Sequence, residues 1–132
     1  MSDPTTFVLD GTRIQSIATF YDEVNRVLMS GEDWTLGPSL DALDDLLYGG
    51  FGALADVEHP VIVVRESARV RAALGATATR EYYAEKLAHP ETFHVERFTT
   101  ALAELDAGNG QTYFDLVLDV FAGHPDVRLV LD

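Results

Sequence analysis

Three carboxylates fall within five positions of one another, Asp41, Asp44 and Asp45, in the segment 39–50, SLDALDDLLYGG. On an α-helix, at about 100° per residue, Leu40, Leu43, Leu46 and Leu47 gather on one side and Asp41, Asp44, Asp45 and Tyr48 on the other. Such carboxylates can be solvated, hold a metal ion, or meet the cations of another molecule. Nothing nearby neutralises them: the flanking cations are Arg26 before the segment and Arg65 after it, so their mutual repulsion is not relieved locally. An acidic helix face of this kind can place charge-assisted hydrogen bonds into a basic concave target. Mg²⁺ or Ca²⁺ also takes carboxylate ligands, which makes a metal-dependent enzyme the rival reading. One exposed helix, however, brings no ligands from a second segment, and no Gly-rich phosphate loop accompanies it. A solvated helix face is the plain alternative.

Other residues able to do chemistry are sparse. His89 and His94 flank Pro90 at a spacing that fits neither one helical face nor a zinc motif, and His59 and His124 each precede a proline. All four read as loop histidines. No G-x-S-x-G elbow is present. Cysteine is absent, which excludes disulfides, thiolate catalysis and cysteine-based metal sites and fits a reducing compartment. No cofactor and no metal are expected.

Charge sorts the partners. Asp and Glu number 22 against 9 Lys and Arg, a formal net charge of −13. A field of that sign is repelled by nucleic acid and by anionic membranes. A basic protein remains attractive, with solubility as the bland account of the charge. The start, MSDPTTFVLDG, lacks the basic region and apolar core of a secretory signal, and no apolar run approaches the roughly 18 residues of a membrane span. A cytoplasmic location is expected.

The 132 residues suit one domain, with residues 1–5 expected as a flexible tail. Thr6-Phe7-Val8-Leu9, closed by Asp10-Gly11, predicts a first strand. Residues 14–29 carry apolar side chains at helical spacing, with Ser16 or Thr12 as cap and Gly31 as stop. A connector containing Trp34, Thr35 and Gly37 leads through Pro38 and Ser39 into the acidic helix, which Gly49-Gly50 ends. Val61-Ile62-Val63-Val64 is a β-branched run without polar alternation, the pattern of a strand covered on both faces. Helices follow over 67–74, 79–88, 95–107 and 112–122, and Val127-Arg128-Leu129-Val130-Leu131 closes the chain as a third strand. Strands separated by helices predict an α/β domain with a small, mainly parallel sheet, its crossovers right-handed.

Gly37, Leu40-Asp41-Ala42-Leu43 and Asp45 together resemble the hallmark of the barstar family, the intracellular inhibitors of the secreted guanyl-specific ribonuclease barnase. That hallmark is a glycine, one spacer, an asparagine, then Leu-Asp-Ala-Leu, any residue and Asp. Val8-Leu9-Asp10-Gly11 with Ile14 and Ile17 is similar to the family's first strand and helix entry, Pro60-Val61-Ile62-Val63-Val64 to its middle strand, and residues 127–131 to its closing strand. The resemblance leaves out 68–111, where this chain is longer and an extended helical region is expected. It implies an α/β fold, a three-stranded parallel sheet packed by four to five helices, with the second helix and the loop before it facing a ribonuclease. Asp41 and Asp45 correspond to the two aspartates that enter the enzyme's active site, Asp45 to the one standing where a substrate phosphate would. Gly37 corresponds to the loop glycine and Gly49 to the glycine ending the helix. Where the family has asparagine, tryptophan and a loop tyrosine, this chain has Ser39, Asp44 and Thr35, so the aromatic contact shifts to Trp34 or Tyr48. The family's contact glutamate aligns with Gly123.

The implied function is a one-to-one inhibitor that plugs the active site of a basic extracellular ribonuclease through Trp34, Thr35, Gly37, Asp41, Asp44, Asp45, Tyr48 and Gly49, its net charge steering the encounter. A regulatory or immunity module capping another basic enzyme is the alternative.

Overall fold

The periodicities of the sequence form the expected elements in the computed structural model, which describes residues 5–89 and 95–132. Residues 1–4, Pro90 and His94 lie outside the described residues. Thr5, assigned to the tail, belongs to the fold: its carbonyl accepts a hydrogen bond from the Val61 N–H at 2.8 Å.

The strands are β1 (Thr6–Asp10), β2 (Val61–Arg65) and β3 (Arg128–Leu131), and the helices are α1 (Ile17–Leu28), α2 (Leu40–Leu47), α3 (Ser67–Ala73), α4 (Ala76–Leu87), α5 (Val95–Asp106) and α6 (Tyr113–Ala122). The described residues thus hold six α-helices, where four to five were expected. Gly75, in an extended conformation (φ −83°, ψ −159°), divides α3 from α4. The latter begins at Ala76 rather than Thr79, because the Thr79 N–H donates to the Gly75 carbonyl at 3.0 Å and closes a first turn there; the Thr79 hydroxyl donates to the same carbonyl at 2.7 Å. That hydroxyl oxygen accepts the Tyr113 N–H at 2.7 Å, tying the start of α6 to α4. Residues 68–111, expected as helical, hold most of α3 and all of α4 and α5.

The sheet order is β1-β2-β3, all parallel, with Thr6 opposite Val61 and Val61 opposite Arg128. Parallel neighbours require crossovers of a dozen or more residues, and the helices supply them. One face of the sheet, with Leu9, Ile62 and Val64, joins the core formed by Phe20, Val24 and Leu28 of α1, Val70 of α3 and Tyr113, Phe114, Val117 and Phe121 of α6. Burial on the other face falls short of the two-sided cover expected for β2. Val8, Val61, Val63 and Val130 are half-buried and stand outside the core. Neighbouring strands lie about 4.8 Å apart, close enough for these branched side chains to shield one another.

One buried acid supports the frame. Glu23 of α1 is 2% exposed and accepts two hydrogen bonds from the Arg26 guanidinium at 2.7 Å and one from the Asp10 N–H at 2.7 Å. Burial works to raise its pKa, but these hydrogen bonds and the Arg26 charge outweigh it and hold the carboxyl below its ordinary value.

Candidate functional site

An isolated helix of eight residues is not stable in water, so α2 exists because of what it docks against. Leu43, Leu46 and Leu47 are at most 4% exposed, and each such burial stabilises by roughly 1.5–3 kcal/mol. They pack α2 against α6 and the 3₁₀ turn Gly52–Leu54. Rotating the helix would lose that burial, so the leucine stripe fixes what the other side presents. Ser39 starts the helix by accepting the Ala42 N–H at 3.1 Å, the capping role to which asparagine is equally suited. Gly49, at φ +80°, stops it and donates to the Leu46 carbonyl at 3.0 Å.

The three aspartates have different fates. Asp41 and Asp45 are exposed, and neither side-chain carboxylate has a hydrogen bond or ion pair with another described residue. Asp44 is instead engaged: its Oδ1 lies 2.6 Å from Nε2 of His124, 80 positions along the chain. His124 was expected as a loop histidine. It does sit in the loop after α6, but at 7% exposure it is a buried partner to the acidic helix, and its ring meets Tyr48 edge-on at 4.6 Å. Tyr48 itself is 74% exposed. Of the other described histidines, His59 and His89 are exposed outside helices and strands, as expected.

Helix polarity bears on these charges. Asp41 lies in the first turn, where the macrodipole favours a carboxylate, whereas Asp45 lies in the last turn, where no cation offsets it. Asp41 also acts on α4: burial first, then the charges of Tyr83 and Asp41, raise the Tyr82 hydroxyl above its ordinary value against the opposing charge of Arg97.

The connector before α2 is held by Asn25, a residue the sequence reading missed. Its Oδ1 accepts the Leu36 N–H at 2.7 Å, and its amide donates to the Leu36 carbonyl at 3.3 Å. With Leu36 drawn into the core, Trp34, Thr35 and Gly37 are left on the surface. Trp34 is 45% exposed and leans on the Phe51 ring at 5.0 Å. A Cβ at Gly37 would meet no atom within 4 Å, so the fold leaves open space there. Gly52 differs: at φ +71° it approaches α1 so closely that a Cβ would lie 2.7 Å from the Leu28 carbonyl oxygen. Glu32 accepts the Gly52 N–H at 3.2 Å, closing the connector against the turn after α2.

The structure therefore brings Asp41, Asp45 and Tyr48 to one exposed helix face, places Trp34, Thr35 and Gly37 on the connector leading into it, and gives Asp44 a partner within the protein. Among the described residues, no group of three His, Asp or Glu side chains is placed to hold a metal ion. No helix among them is long and apolar enough to cross a membrane.

The chain matches the sequence profile of the family Barstar (barnase inhibitor) over residues 5–95. That span runs from β1 to the first residue of α5; it takes in α3 and α4, which the sequence reading set outside the resemblance, and leaves out β3, which it set inside. No curated protein matches the chain.

Proposed function

The chain belongs to the barstar family, and from that premise we propose that it is an inhibitor, not an enzyme, that binds a basic secreted guanyl-specific ribonuclease one-to-one and fills its active site with α2. One observation carries the reading: Asp41 and Asp45 stand one turn apart, exposed and unpaired among the described residues, on a helix whose opposite side is locked into the core. A cleft that binds a phosphodiester is lined with cations. Two carboxylates held rigidly at its mouth can take the phosphate's hydrogen bonds and exclude RNA. The inhibitor needs no reaction of its own, and the buried leucines fix the helix backbone that carries the two carboxylates before the encounter, which limits the entropy lost on binding.

Trp34, Thr35 and Gly37 extend this surface on the connector, and Tyr48 and Gly49 extend it past the helix end. Asp44 contributes through His124 more than through the partner. The net charge of −13 speeds the encounter with a basic enzyme and makes its rate fall with salt. Such an inhibitor protects the cell that makes the ribonuclease, an immunity role served in the cytoplasm.

The test is RNA cleavage by a panel of basic secreted ribonucleases, with and without a molar excess of the protein. Loss of cleavage at one-to-one stoichiometry is expected, with no cleavage by the protein alone. Full activity across the panel, or RNA cleavage by the protein itself, refutes the proposal.

A further inference from the structure

Past the end of α2 the surface continues onto two loops distant in sequence. A cleft of about 270 Å³ opens beside Tyr48, where residues 57–60 and 123–127 meet the helix end. Its floor is apolar, with Leu47, Leu54 and Pro60. Its acids are Glu58 and Asp126, both exposed and neither joined by a hydrogen bond or ion pair to another described residue. No lysine or arginine lines it.

The Tyr48 wall is braced. His124 is buried, bound to Asp44 at 2.6 Å, and lies edge-on under the Tyr48 ring at 4.6 Å. Its own loop is fixed by backbone hydrogen bonds from His124 N–H to the Phe121 carbonyl and from Val127 N–H to the His124 carbonyl, each 3.0 Å. A highly exposed tyrosine thus rests on a buried ring and leaves most of its surface open. An apolar floor, an aromatic wall and two uncompensated carboxylates suit a long basic side chain. Its aliphatic stem can lie on the floor, its cation can meet the acids, and a guanidinium can stack on the ring.

We propose that this cleft is a second contact for the ribonuclease, receiving one arginine or lysine side chain from the rim of the enzyme's active site, with His124 as the positioning residue that holds Tyr48 in place. The inference rests on the reading of α2 as the ribonuclease-binding helix. It is continuous with that face through Tyr48 and Gly49, and the charge of the cleft complements a basic enzyme.

The experiment measures binding to a ribonuclease that the wild-type protein inhibits. Glu58→Gln with Asp126→Asn removes the two charges and keeps the shape. Asp22→Asn with Glu96→Gln removes two exposed charges on α1 and α5 and reports the effect of net charge alone. The cleft pair is expected to weaken binding about tenfold beyond the control pair; equal losses overturn the proposal. For His124, Gln keeps a polar partner for Asp44 and removes the ring. If His124 acts through Tyr48, His124→Gln weakens binding in the wild-type background and has no further effect in Tyr48→Ala. Additive losses mean that His124 is structural only. Should Asp45→Ala abolish inhibition while the cleft pair behaves like its control, the cleft proposal falls and the reading of α2 stands. Should the wild type inhibit no ribonuclease, both fall.

Discussion

Removing Asp45 should stabilise the free protein while destroying its binding. The Asp45 carboxylate makes no hydrogen bond or ion pair with a described residue, lies in the last turn of α2 and has no cation in that turn. A carboxylate so placed opposes the helix dipole at a cost of about 0.3–1 kcal/mol. Repulsion by Asp41, four residues before it, costs roughly 0.2–0.5 kcal/mol more. Replacing aspartate by alanine in a helix gains up to about 0.7 kcal/mol in propensity. With partial overlap and screening, Asp45→Ala should raise stability by about 1 kcal/mol, a few degrees (roughly 3–5 °C) in Tm for a domain of this size. Asp45→Asn removes the charge with little change in propensity, so it should recover about half of that gain. Denaturant unfolding at low and high salt separates the parts, because salt screens the electrostatic share and leaves propensity. Over the same two variants, affinity for an inhibited ribonuclease should fall by more than about 2 kcal/mol, the scale of an interface hot spot. A lower Tm for both variants would show that Asp45 serves the fold. Unchanged affinity would show that it does not serve the interface.

Asp44→Ala should behave oppositely at the level of the fold: it takes the partner from the buried His124 and should cost about 1 kcal/mol of stability in denaturant unfolding, and no loss would mean that the 2.6 Å contact does not hold α2 to the loop after α6. Glu23 has its pKa lowered in the fold, so its stabilisation is present above the ordinary carboxylate value of 4.5 and is lost as pH falls through the lower folded value. The Glu23→Gln variant should therefore lose less stability than the wild type when acidified below that range, and parallel stability-pH curves would contradict the assignment. Trp34→Ala should weaken ribonuclease binding and cost about 1 kcal/mol of stability through the lost Phe51 contact, with native Trp34 fluorescence shifting blue or quenching when the enzyme binds. A stability loss of about 3–5 kcal/mol with inhibition unchanged would make Trp34 a core residue instead.

The sequence made the sheet and the acidic helix legible because each is encoded locally. Val61 to Val64 is β-branched without interruption, and Leu40, Leu43, Leu46 and Leu47 repeat with the period of a helix. Ser39 and Gly49 mark the ends of α2 by chemistry that acts within one turn. The partial cover of β2 was not legible, since an uninterrupted β-branched run reads the same whether a helix or the side chains of neighbouring strands shield its second face.

What escaped the sequence is held by side chains far apart in it. Asn25 fixes the connector by pairing with Leu36, 11 positions on, and no periodicity announces an asparagine as a clamp. His124 precedes a proline and carried every local mark of a solvent-exposed turn. Its burial comes from α6 delivering the following loop to the side of α2, where it meets Asp44 and Tyr48. That tertiary contact divides the acidic cluster. Three aspartates that are equivalent by composition become one engaged in the fold and two open to a partner, and the two left open, Asp41 and Asp45, are the pair that the family resemblance assigns to the enzyme's active site. A helix built only for solubility has no need to tie the middle acid to a buried histidine 2.6 Å away while leaving the carboxylates of its neighbours bare.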